Sequence, residues 1–553
     1  MLLSGSDILV KTLIEQGCDT VFGYPGGQIL NVYDSLYKYQ NEINHVLTAH
    51  EQGAAHAADG YARTTGKVGV VISTSGPGAT NLVTGIATAY LDSIPMVAIC
   101  GNVPTTQIGT DSFQEIDITG VTLPITKHNY FVGSVENLAD TIREAFALAK
   151  SGRPGPVLID VPKDVQIAKC EYEPQSPAKA DEPYAAKDVR ITEAAEIINS
   201  AERPFIYFGG GIITANAQDE MLALADKIDS PIGCSLMGLS AIPTDHPRFL
   251  GMQGMHGHYA SSMSMHNADV IISLGVRFND RVTGNRSKFA VGAKIVHIDV
   301  DGSELNKTVN SVCGLRGDVK LTLEKLLPLL NETKNPEWAK KVNAFREEEE
   351  KYLDNRDGLT PRRAILTLNR HLGENTAVCT DVGQHQMWSA QNLFFRTPRR
   401  FASSGGLGTM GYGFGAAYGT GERSVLVTGD GSFGMNLNEL ATAVRYNVPV
   451  VVLIMNNGVL GMVRQWQTLF YDKHYSNSVL ERKTDFAAFA RSFGADGEAV
   501  TTPEELDAAL TRAFATDGPY IIDCKIDKDE FVLPMLPPGG SMDDIITKLE
   551  VQA

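Results

Sequence analysis

The chain has 553 residues, of which 43% are hydrophobic and 20% are charged, as is typical of a folded globular protein. At roughly 100–200 residues per domain, this length predicts about three domains. The formal net charge of −17 argues against nucleic acid or an anionic membrane as the main binding partner. An acidic chain can still bind anions through backbone N–H groups, a metal ion or single arginines.

The first predicted element is an amphipathic helix within MLLSGSDILVKTLIEQG, where Asp7 and Lys11 interrupt the apolar residues. These charges are not typical of the apolar core of a signal peptide. No run of about 18 apolar residues occurs elsewhere, so we expect no membrane span. The seven scattered cysteines include no CxxC pair, which favours reduced thiols over disulfides or a zinc site. We therefore expect a cytoplasmic protein.

The next element is a helix rich in alanine and glycine, LTAHEQGAAHAADGYAR, at residues 47–63. Glu51 lies in its first turn, after the strand-like residues 45–49, and no Lys or Arg lies within a helical turn of it. The helix macrodipole favours a carboxylate at this end. By itself, Glu51 therefore does not indicate a site.

Short β-branched segments alternate with helical patterns along the whole chain. They are apolar without strict alternation, as strands buried on both faces are. Glycines or small polar residues follow most of them, so the pattern predicts an α/β fold of doubly wound parallel sheets. The segments are residues 68–74, 95–101, 156–162, 204–211, 269–275, 294–301, 424–431 and 449–457.

Two polar stretches interrupt this rhythm. Residues 170–189 contain prolines and few apolar residues, and residues 331–361 have the pattern of a charged helix that ends in a turn. Either stretch can also be surface decoration. Taken as boundaries, they predict three α/β domains at residues 1–170, 190–335 and 360–553.

The most specific motif is VTGDGSFGMNLNELATAVRYNVPVVVLIMNN, residues 427–457. One predicted strand ends at the GDG of residues 429–431, and the next ends at Asn456 and Asn457. In a parallel sheet both ends lie at the same edge, so Asp430 and the asparagines converge. Their oxygens suit Mg²⁺, and the glycines let a diphosphate approach a helix N-terminus. A tight turn explains a single GDG, but it does not explain both signals together.

The GDG…NN pair resembles the diphosphate-binding signature of thiamine diphosphate (ThDP) enzymes. The resemblance implies Mg²⁺ ligands from Asp430, Asn457 and the backbone carbonyl of Val459. Segments 381–388 and 403–413 also resemble this family. The residues that the resemblance assigns to ThDP, besides the metal ligands and Glu51, are Gln384, His385, Gly408, Met410, Gly429, Gly431, Ser432, Met435, Leu460, Gly461 and Met462.

Some of these ThDP assignments have a second explanation. Met410 would wedge under the bent cofactor, and Met435 would support its pyrimidine ring. Each methionine is otherwise explained as core filler.

The same resemblance gives Glu51 a role. ThDP chemistry needs a carboxylate that hydrogen-bonds pyrimidine N1′ and promotes the imino tautomer, whose own nitrogen then removes the C2 proton. Small neighbours and the lack of a nearby cation suit a dry environment, where such a hydrogen bond is strong. The resemblance therefore implies that Glu51 is the catalytic carboxylate.

From the N-terminal helix almost to Ala553, the chain resembles the catalytic subunit of acetohydroxyacid synthase, also called acetolactate synthase. The segments that carry this resemblance are VFGYPGG, HEQGAAHAADGYAR, TSGPGATN, IGTDSFQE, SGRPGPVLIDVPKD, GMQGMHG, RFNDRVTG, GLGTMGYG, GDGSFGMN and LGMVRQWQ. The family implies a pyrimidine-binding first domain, a flavin-binding central domain and a third domain that binds diphosphate and Mg²⁺.

The implied reaction decarboxylates pyruvate and condenses the hydroxyethyl unit with a second 2-ketoacid. Pyruvate as acceptor gives 2-acetolactate, and 2-ketobutyrate gives 2-aceto-2-hydroxybutyrate. Both products feed the synthesis of valine, leucine and isoleucine. The family builds its site between two subunits, which implies a homodimer or homotetramer, together with a small regulatory subunit.

The resemblance also implies FAD. The glycines of FGGGIIT alone are more often a turn than a dinucleotide site, but GMHG, VRFNDR, HIDVD and GD match the flavin-binding segments of the biosynthetic branch. Since the net reaction needs no redox step, the flavin would be structural or vestigial. The residues assigned to it are Arg153, Gly209, Gly210, Gly211, Met255, His256, Gly257, Arg277, Asp280, Arg281, Asp299, Asp318 and Val319.

A substrate pocket completes the implied site. Arg281 offers a bidentate fork for the carboxylate of the second substrate. Trp466, otherwise an ordinary core aromatic, would form an apolar wall that favours an ethyl-bearing acceptor. Gly27 would turn its N–H towards a developing oxyanion, and Gln114 is the other catalytic position. The remaining pocket positions are Phe113, Lys163, Met255 and Met462.

Four residues depart from the family pattern: Gln28 for Ala, Ala49 for Arg, Asn279 for Asp and Gly415 for Pro. Gln28 leaves the acceptor preference open, and Asn279 leaves one flavin contact open.

Two other functions compete with this interpretation. A decarboxylase or pyruvate oxidase on the same fold would release acetaldehyde or reduce FAD. A non-catalytic flavin-binding or scaffold protein would need neither Glu51 nor the Asp430–Asn457 pair, and both are intact.

Overall fold

A computed structural model describes residues 1–548 of the chain. It contains three six-stranded sheets, and neighbouring strands within each sheet are parallel. Each of the eight segments predicted as a buried strand contributes a strand to one of these sheets. The predicted α/β fold with three parallel sheets is therefore confirmed.

The N-terminal part of the chain forms the first domain. Its six-stranded sheet has the strand order β3-β2-β4-β5-β7-β6, and β1 and β8 form a separate two-stranded sheet. The strands are β1 (Leu2–Ser4), β2 (Thr20–Gly23), β3 (Asn44–Leu47), β4 (Gly69–Ser73), β5 (Met96–Asn102), β6 (His128–Phe131), β7 (Pro156–Pro162) and β8 (Lys169–Glu171). The helices are α1 (Gly5–Glu15), α2 (Leu30–Lys38), α3 (Glu51–Thr65), α4 (Pro77–Asn81), α5 (Val83–Asp92), α6 (Ile118–Thr122), α7 (Leu138–Lys150) and α8 (Lys163–Ile167).

Helices cover both faces of this sheet because successive side chains of a strand point to opposite sides. On β4, Val71 belongs to one apolar core, whereas Val70 and Ile72 belong to the core on the other face. A small antiparallel pair, β1 with β8, is absent from the sequence-based prediction. Beyond β8, residues 172–187 contain neither helix nor strand.

The central sheet has the order β11-β10-β9-β12-β13-β14. Its strands are β9 (Pro204–Phe208), β10 (Ile232–Cys234), β11 (Phe249–Met252), β12 (Val270–Leu274), β13 (Lys294–Asp299) and β14 (Cys313–Arg316). Its helices are α9 (Asp188–Asn199), α10 (Gly210–Ala215), α11 (Gln218–Lys227), α12 (Tyr259–Asn267), α13 (Asp280–Thr283), α14 (Val319–Leu326) and α15 (Pro336–Glu349). The helix α15 is the predicted charged helix. Its Trp338 is buried in the central core and donates an indole hydrogen bond to the Pro204 carbonyl at 3.0 Å.

The third sheet has the order β16-β15-β17-β18-β20-β19. Its strands are β15 (Ala377–Thr380), β16 (Phe401–Ala402), β17 (Ser424–Gly429), β18 (Val450–Asn456), β19 (Asp496–Val500) and β20 (Tyr520–Lys525). Its helices are α16 (Pro361–Asn369), α17 (Gln384–Asn392), α18 (Tyr412–Gly419), α19 (Asp430–Asn436), α20 (Leu440–Arg445), α21 (Gly461–Phe470), α22 (Phe486–Phe493) and α23 (Pro503–Ala515). After β20 the chain returns to the central domain, where the Leu536 N–H donates to the Met255 carbonyl at 2.7 Å.

The first and third domains meet where α3 packs on α18. A Cβ added at Gly415 would lie only 2.7 Å from the Cβ of His56, and one at Gly60 would overlap the Ala416 carbonyl. These glycines therefore let the two helix backbones approach closely. The departure at Gly415 is explained by this contact, because a larger residue would collide with α3.

None of the helices in residues 1–548 has the length and apolar character needed to cross a bilayer. The seven cysteines are all free, and only Cys170 is not buried.

One buried carboxyl in the first sheet makes a pH prediction possible. Asp160 on β7 is 3% exposed and accepts one hydrogen bond, from Asn102 Nδ2 at 2.7 Å. Burial raises the pKa of Asp160 to about 7 from its usual 3.8. The folded protein therefore retains a proton that the unfolded chain loses, so this group makes stability fall as the pH rises between those values.

We expect Asp160→Asn to become progressively more stable than the wild type as the pH rises from about 4 to about 7. Urea unfolding of both proteins at the two ends of this range measures the difference. An identical difference at both ends would contradict the prediction.

Candidate active site

The carboxyl edge of the third sheet brings the GDG and NN motifs to one place. The strands β17 and β18 are parallel neighbours, with Gly429 opposite Met455. Asp430 begins α19 directly after β17, and Asn457 directly follows β18. Both motifs therefore lie at the same sheet edge.

Three helices begin at this edge without a side-chain cap: α17, α19 and α21. Their N-termini are close together. A Cβ at Gly429 would lie 2.9 Å from His385 Nδ1, and one at Gly431 would lie 2.8 Å from Leu460 Cδ2. Uncapped N–H groups and glycine backbones in this arrangement suit an anion such as a diphosphate.

Two buried polar atoms at the same edge have no hydrogen-bond partner among residues 1–548: Asp430 Oδ1 and His385 Nε2. Burial raises the pKa of Asp430 to about 6, and burial lowers the pKa of His385 to about 3. The histidine is therefore neutral near pH 7. A cation beside Asp430 would satisfy the unpartnered oxygen and favour its charged form.

The residues around Asp430 offer the oxygen ligands that a magnesium ion prefers. Asn457 Oδ1 accepts the Val459 N–H at 3.2 Å, which places the asparagine beside the second predicted ligand. Gln384 Oε1 lies 3.4 Å from Asn457 Nδ2. Within the described part of the chain no three His, Cys, Asp or Glu side chains group as a metal site. A metal here would therefore combine the Asp430 carboxylate with amide, carbonyl and phosphate oxygens.

The other predicted ThDP residues line this edge or its rim. Ser432 Oγ donates to the Val382 carbonyl at 3.1 Å. Gly408 has a positive φ of 72°, and the Cε of Met410 lies about 4.0 Å from where a Gly431 Cβ would be. Met435 is 55% exposed. Leu460 precedes α21, whose first two residues are Gly461 and Met462.

Glu51 begins α3 at the carboxyl edge of the first sheet and is only 9% exposed. Its Oε2 accepts a hydrogen bond from Asn81 Nδ2 at 3.0 Å, and its Oε1 faces Gly78. The helix is capped by His50, whose Nδ1 accepts the Gln52 N–H at 3.1 Å. Since no cation pairs with Glu51 in residues 1–548, the carboxyl is oriented by an amide alone.

Four further predicted residues surround this first-domain edge. Lys163 Nζ donates to the Gly27 carbonyl at 3.2 Å. Gln114 has a left-handed backbone, with φ of 63°, and packs against Gly76. Phe113 beside it is 83% exposed.

Two of the departing residues, Gln28 and Ala49, also belong to the first domain. The Oε1 of Gln28 is buried without a partner in the described chain, while its N–H donates to Thr74 Oγ1 at 3.2 Å. The Ala49 N–H donates to Glu439 Oε2 at 3.2 Å, so the third domain contacts this position.

The substrate-pocket residues of the central and third domains contact one another. The guanidinium carbon of Arg281 lies 5.8 Å from the centre of the Trp466 ring, and Arg281 Nη1 lies 3.8 Å from Met255 Sδ. Arg281 is thus placed beside an apolar wall, and it also forms a long ion pair, at 3.8 Å, with the exposed Asp280. No hydrogen bond or ion pair within residues 1–548 joins these residues, or Asp430, to Glu51.

The central sheet has the topology of a dinucleotide-binding fold, with its order reversing between β9 and β12. At this point Gly209, Gly210 and Gly211 follow β9, and α10 begins without a side-chain cap. A Cβ at Gly211 would lie 2.6 Å from the Cα of Gly275, so the two backbones form a close crevice. The glycines and free helix N-terminus fit the pyrophosphate of a dinucleotide.

Acidic residues and arginines surround this crevice. Burial raises the pKa of Asp299 to about 6, and burial lowers that of Arg277. Arg153 of the first domain forms ion pairs with Glu304 at 3.0 Å and Asp301 at 3.3 Å, so a flavin phosphate would compete with these carboxylates for it.

The other residues assigned to the flavin either cap or begin helices or are buried. Asp318 Oδ1 caps α14 by accepting the Leu321 N–H at 3.0 Å, and Val319 begins that helix. His256 lies between Met255 and Gly257 and is buried with Nδ1 unpartnered in the described chain. Asn279 caps α13, ahead of Asp280, through the Val282 N–H at 3.2 Å. An asparagine caps a helix as well as an aspartate does, so the departure at Asn279 leaves this turn intact.

Three groups of residues that contact α3 or the chain just before it are absent from the sequence-based prediction. Asn81 orients Glu51. Glu439 contacts the chain just before α3. Arg63 is buried between Asp59 and Asp92, at 2.6 and 2.8 Å. Glu439 carried a sequence signal like that of Glu51, a carboxylate in NLNELATA with no Lys or Arg within a helical turn.

The chain matches three protein-family models in order. Residues 3–121 match the N-terminal TPP binding domain of thiamine pyrophosphate enzymes, residues 191–326 match their central domain, and residues 381–524 match their C-terminal TPP binding domain. Thiamine pyrophosphate is another name for ThDP. The three matched ranges correspond to the three sheets.

Known proteins are similar over nearly the whole length. The acetolactate synthase large subunit of Buchnera aphidicola is 42% identical, with 100% of this chain and 100% of that protein covered. The large subunit of Escherichia coli acetolactate synthase isozyme 3 is 42% identical, with 98% of each chain covered. That of isozyme 2 is 43% identical, with 99% of this chain and 100% of the other covered. With the same three domains in the same order, this chain belongs to the acetolactate synthase large-subunit family of thiamine pyrophosphate enzymes.

Proposed function

We propose that the chain is an acetolactate synthase that decarboxylates pyruvate and joins the two-carbon unit to a second 2-ketoacid. The observation that carries this proposal is the third-sheet edge, where three uncapped helix N-termini adjoin the unpartnered Asp430 Oδ1 and His385 Nε2. Family membership supports the same reaction. The products are 2-acetolactate and 2-aceto-2-hydroxybutyrate, which serve branched-chain amino acid synthesis in the cytoplasm.

Bound ThDP supplies the nucleophilic carbon and the electron sink that decarboxylation needs. Asp430, Asn457 and the Val459 carbonyl would hold Mg²⁺, and the helix N-termini would bind the diphosphate. Glu51 would hold a proton at Oε1, towards the pyrimidine nitrogen, while Asn81 fixes Oε2. The low exposure of Glu51 keeps water from competing for that hydrogen bond.

The second substrate would bind against Arg281 and Trp466. The guanidinium would orient its carboxylate, and the indole face would cover its alkyl group. FAD would occupy the crevice between β9 and β12 as a structural group, since the proposed reaction neither oxidises nor reduces its substrates overall.

Product analysis tests this function. The protein is incubated with pyruvate, ThDP and Mg²⁺, with and without 2-ketobutyrate, while the flavin spectrum is followed. We expect acetolactate, and 2-aceto-2-hydroxybutyrate when the second ketoacid is present, with no bleaching of bound flavin. Acetaldehyde as the main product, or reduction of the flavin, would favour the decarboxylase or oxidase instead.

We further propose a homodimer or homotetramer in which the first domain of one subunit completes the site on the third domain of another. The support is that no hydrogen bond or ion pair in residues 1–548 joins Glu51 to Asp430 or to Arg281, together with the exposure of Phe113 at 83% and of Met435 at 55%. Because the family is named for a large subunit, we also propose a small regulatory subunit. Light scattering should give at least the dimer mass, and a fully active monomer would refute the shared site.

The acceptor preference provides another prediction. Trp466→Leu keeps an apolar wall but removes the broad indole surface beside Arg281. We expect the preference for 2-ketobutyrate over pyruvate to fall by about 10-fold or more, since one methylene in such a pocket is worth about 1–3 kcal/mol. Competition between the two acceptors in one assay measures the ratio. Phe394→Leu, at a surface aromatic in the same domain, is the control and should leave the ratio unchanged.

A further inference from the structure

A second buried carboxyl, Glu439, contacts the helix that carries Glu51. It lies in the third domain between α19 and α20, and it is 0% exposed. Its Oε2 accepts hydrogen bonds from the Ala49 N–H at 3.2 Å, from Tyr418 Oη at 3.0 Å and from Thr442 Oγ1 at 2.8 Å. One of these three donors belongs to the first domain, so the contact crosses the domain boundary.

Glu439 touches the start of α3 on both sides of Glu51. Ala49 lies two residues before Glu51, and Gly53 lies two residues after it. The Gly53 backbone packs directly against Glu439, and a Cβ at Gly53 would overlap the carboxyl group. This one carboxyl therefore limits where the first turn of α3 can lie.

A carboxyl is a costly way to join two domains. In residues 1–548 Glu439 has no ion pair, and its Oε1 has no hydrogen-bond partner. Burying such a group costs stability unless its bonds compensate. The adjacent Tyr446 joins the same domains without a charge, since its Oη accepts the Leu47 N–H at 2.8 Å. Adhesion between the domains therefore does not by itself explain Glu439.

We propose that Glu439 is a positioning residue for Glu51, which fixes the start of α3 from the third domain and thereby directs the catalytic carboxyl. The role of Glu51 rests on the proposed function, whereas the effect on the α3 backbone does not. In the wild type the Ala49 N–H is bonded and protected, and Glu51 has one direction. Without the Glu439 carboxyl, this N–H loses its acceptor and the first turn loses its contact.

Hydrogen–deuterium exchange on the cofactor-free protein tests the backbone part. The variants are Glu439→Ala, which removes the group, and Glu439→Gln, which keeps its shape and a neutral acceptor. In Glu439→Ala we expect exchange in the peptide covering residues 45–56 to accelerate about tenfold or more, as for a buried N–H that loses its hydrogen-bond acceptor. Glu439→Gln should show a smaller increase. Because it keeps the shape of the side chain, it still tests the proposal if Glu439→Ala folds poorly.

Tyr446→Phe is the matched control, because it removes a neighbouring bond between the same domains. We expect it to affect this peptide less than Glu439→Ala does. Unchanged exchange in both Glu439 variants would overturn the proposal. An equal increase in Tyr446→Phe, or a uniform increase across the first domain, would also overturn it, since either indicates general loosening of the interface.

Activity separates this proposal from the proposed function. With cofactors saturating, both Glu439 variants should lower kcat for acetolactate while KM for pyruvate changes by less than about twofold. Suppose that the wild-type protein makes no acetolactate, but that exchange in residues 45–56 is faster in its Glu439 variants. This outcome would support the backbone role of Glu439 and refute the proposed function. If exchange is unchanged in the variants and the protein forms acetolactate normally, the proposed function is supported and the backbone role of Glu439 is refuted.

Discussion

Glu51→Gln is expected to lower the rate of acetolactate formation by about 100- to 10,000-fold, the range for losing a general acid–base group. Glutamine keeps the shape of the side chain and can still accept the Asn81 hydrogen bond. It cannot give up or take a proton at Oε1. Steady-state product formation at saturating ThDP and Mg²⁺ measures the effect.

Two controls distinguish lost chemistry from lost binding or folding. Isothermal titration should show ThDP affinity close to that of the wild type, because the diphosphate would bind at the third domain. Glu171→Gln alters a carboxylate in the first domain whose side chain is 74% exposed, and its rate should not change. If Glu51→Gln kept the wild-type rate, the proposed mechanism would be wrong.

The second large effect is expected at Arg63, which is buried between two carboxylates with its side chain 5% exposed. Arg63→Met keeps most of the volume but leaves Asp59 and Asp92 without their cation. Breaking a buried ion pair in this way costs about 3–5 kcal/mol, because an uncompensated charge remains inside the protein. Urea unfolding at neutral pH measures this loss of stability.

The same substitution is expected to weaken ThDP binding. Asp92 accepts the N–H groups of Gly405 at 3.0 Å and Gly406 at 2.7 Å, at the start of the loop that reaches Met410. A displaced Asp92 would therefore shift this loop. Arg512→Met, which breaks an exposed pair with Glu498, is the control and should leave stability and cofactor affinity almost unchanged. Equal losses in the two variants would contradict the special role of the buried cluster.

The sequence predicts those strands that are buried on both faces. In β7 each residue of PVLIDVP is buried, so a continuous apolar run marks it. The strand β19, DGEAV, lies at a sheet edge with its first residue exposed, and it therefore lacks such a run. The pairing of β1 with β8 joins Leu2 to Glu171 and leaves no local signal at all.

The same distinction applies to the candidate active site. Parallel strands bring their carboxyl ends to one edge, so the meeting of Asp430 and Asn457 follows from local patterns and topology. The contacts of Asn81, Arg63 and Glu439 depend on how α3 packs against elements distant in sequence. The Ala49–Glu439 hydrogen bond joins residues 390 positions apart, so no local sequence pattern predicts it.

The close packing of α3 on α18 has a consequence for proteolysis. The only covalent link between the first domain and the rest of the chain passes through residues 172–187, a largely exposed stretch without helix or strand. A protease that cuts there would separate two polypeptides. Because Gly60 and Gly415 bring the backbones of α3 and α18 into direct contact, and Asp92 of the first domain accepts the N–H groups of Gly405 and Gly406 of the third, the two fragments would remain associated as one particle.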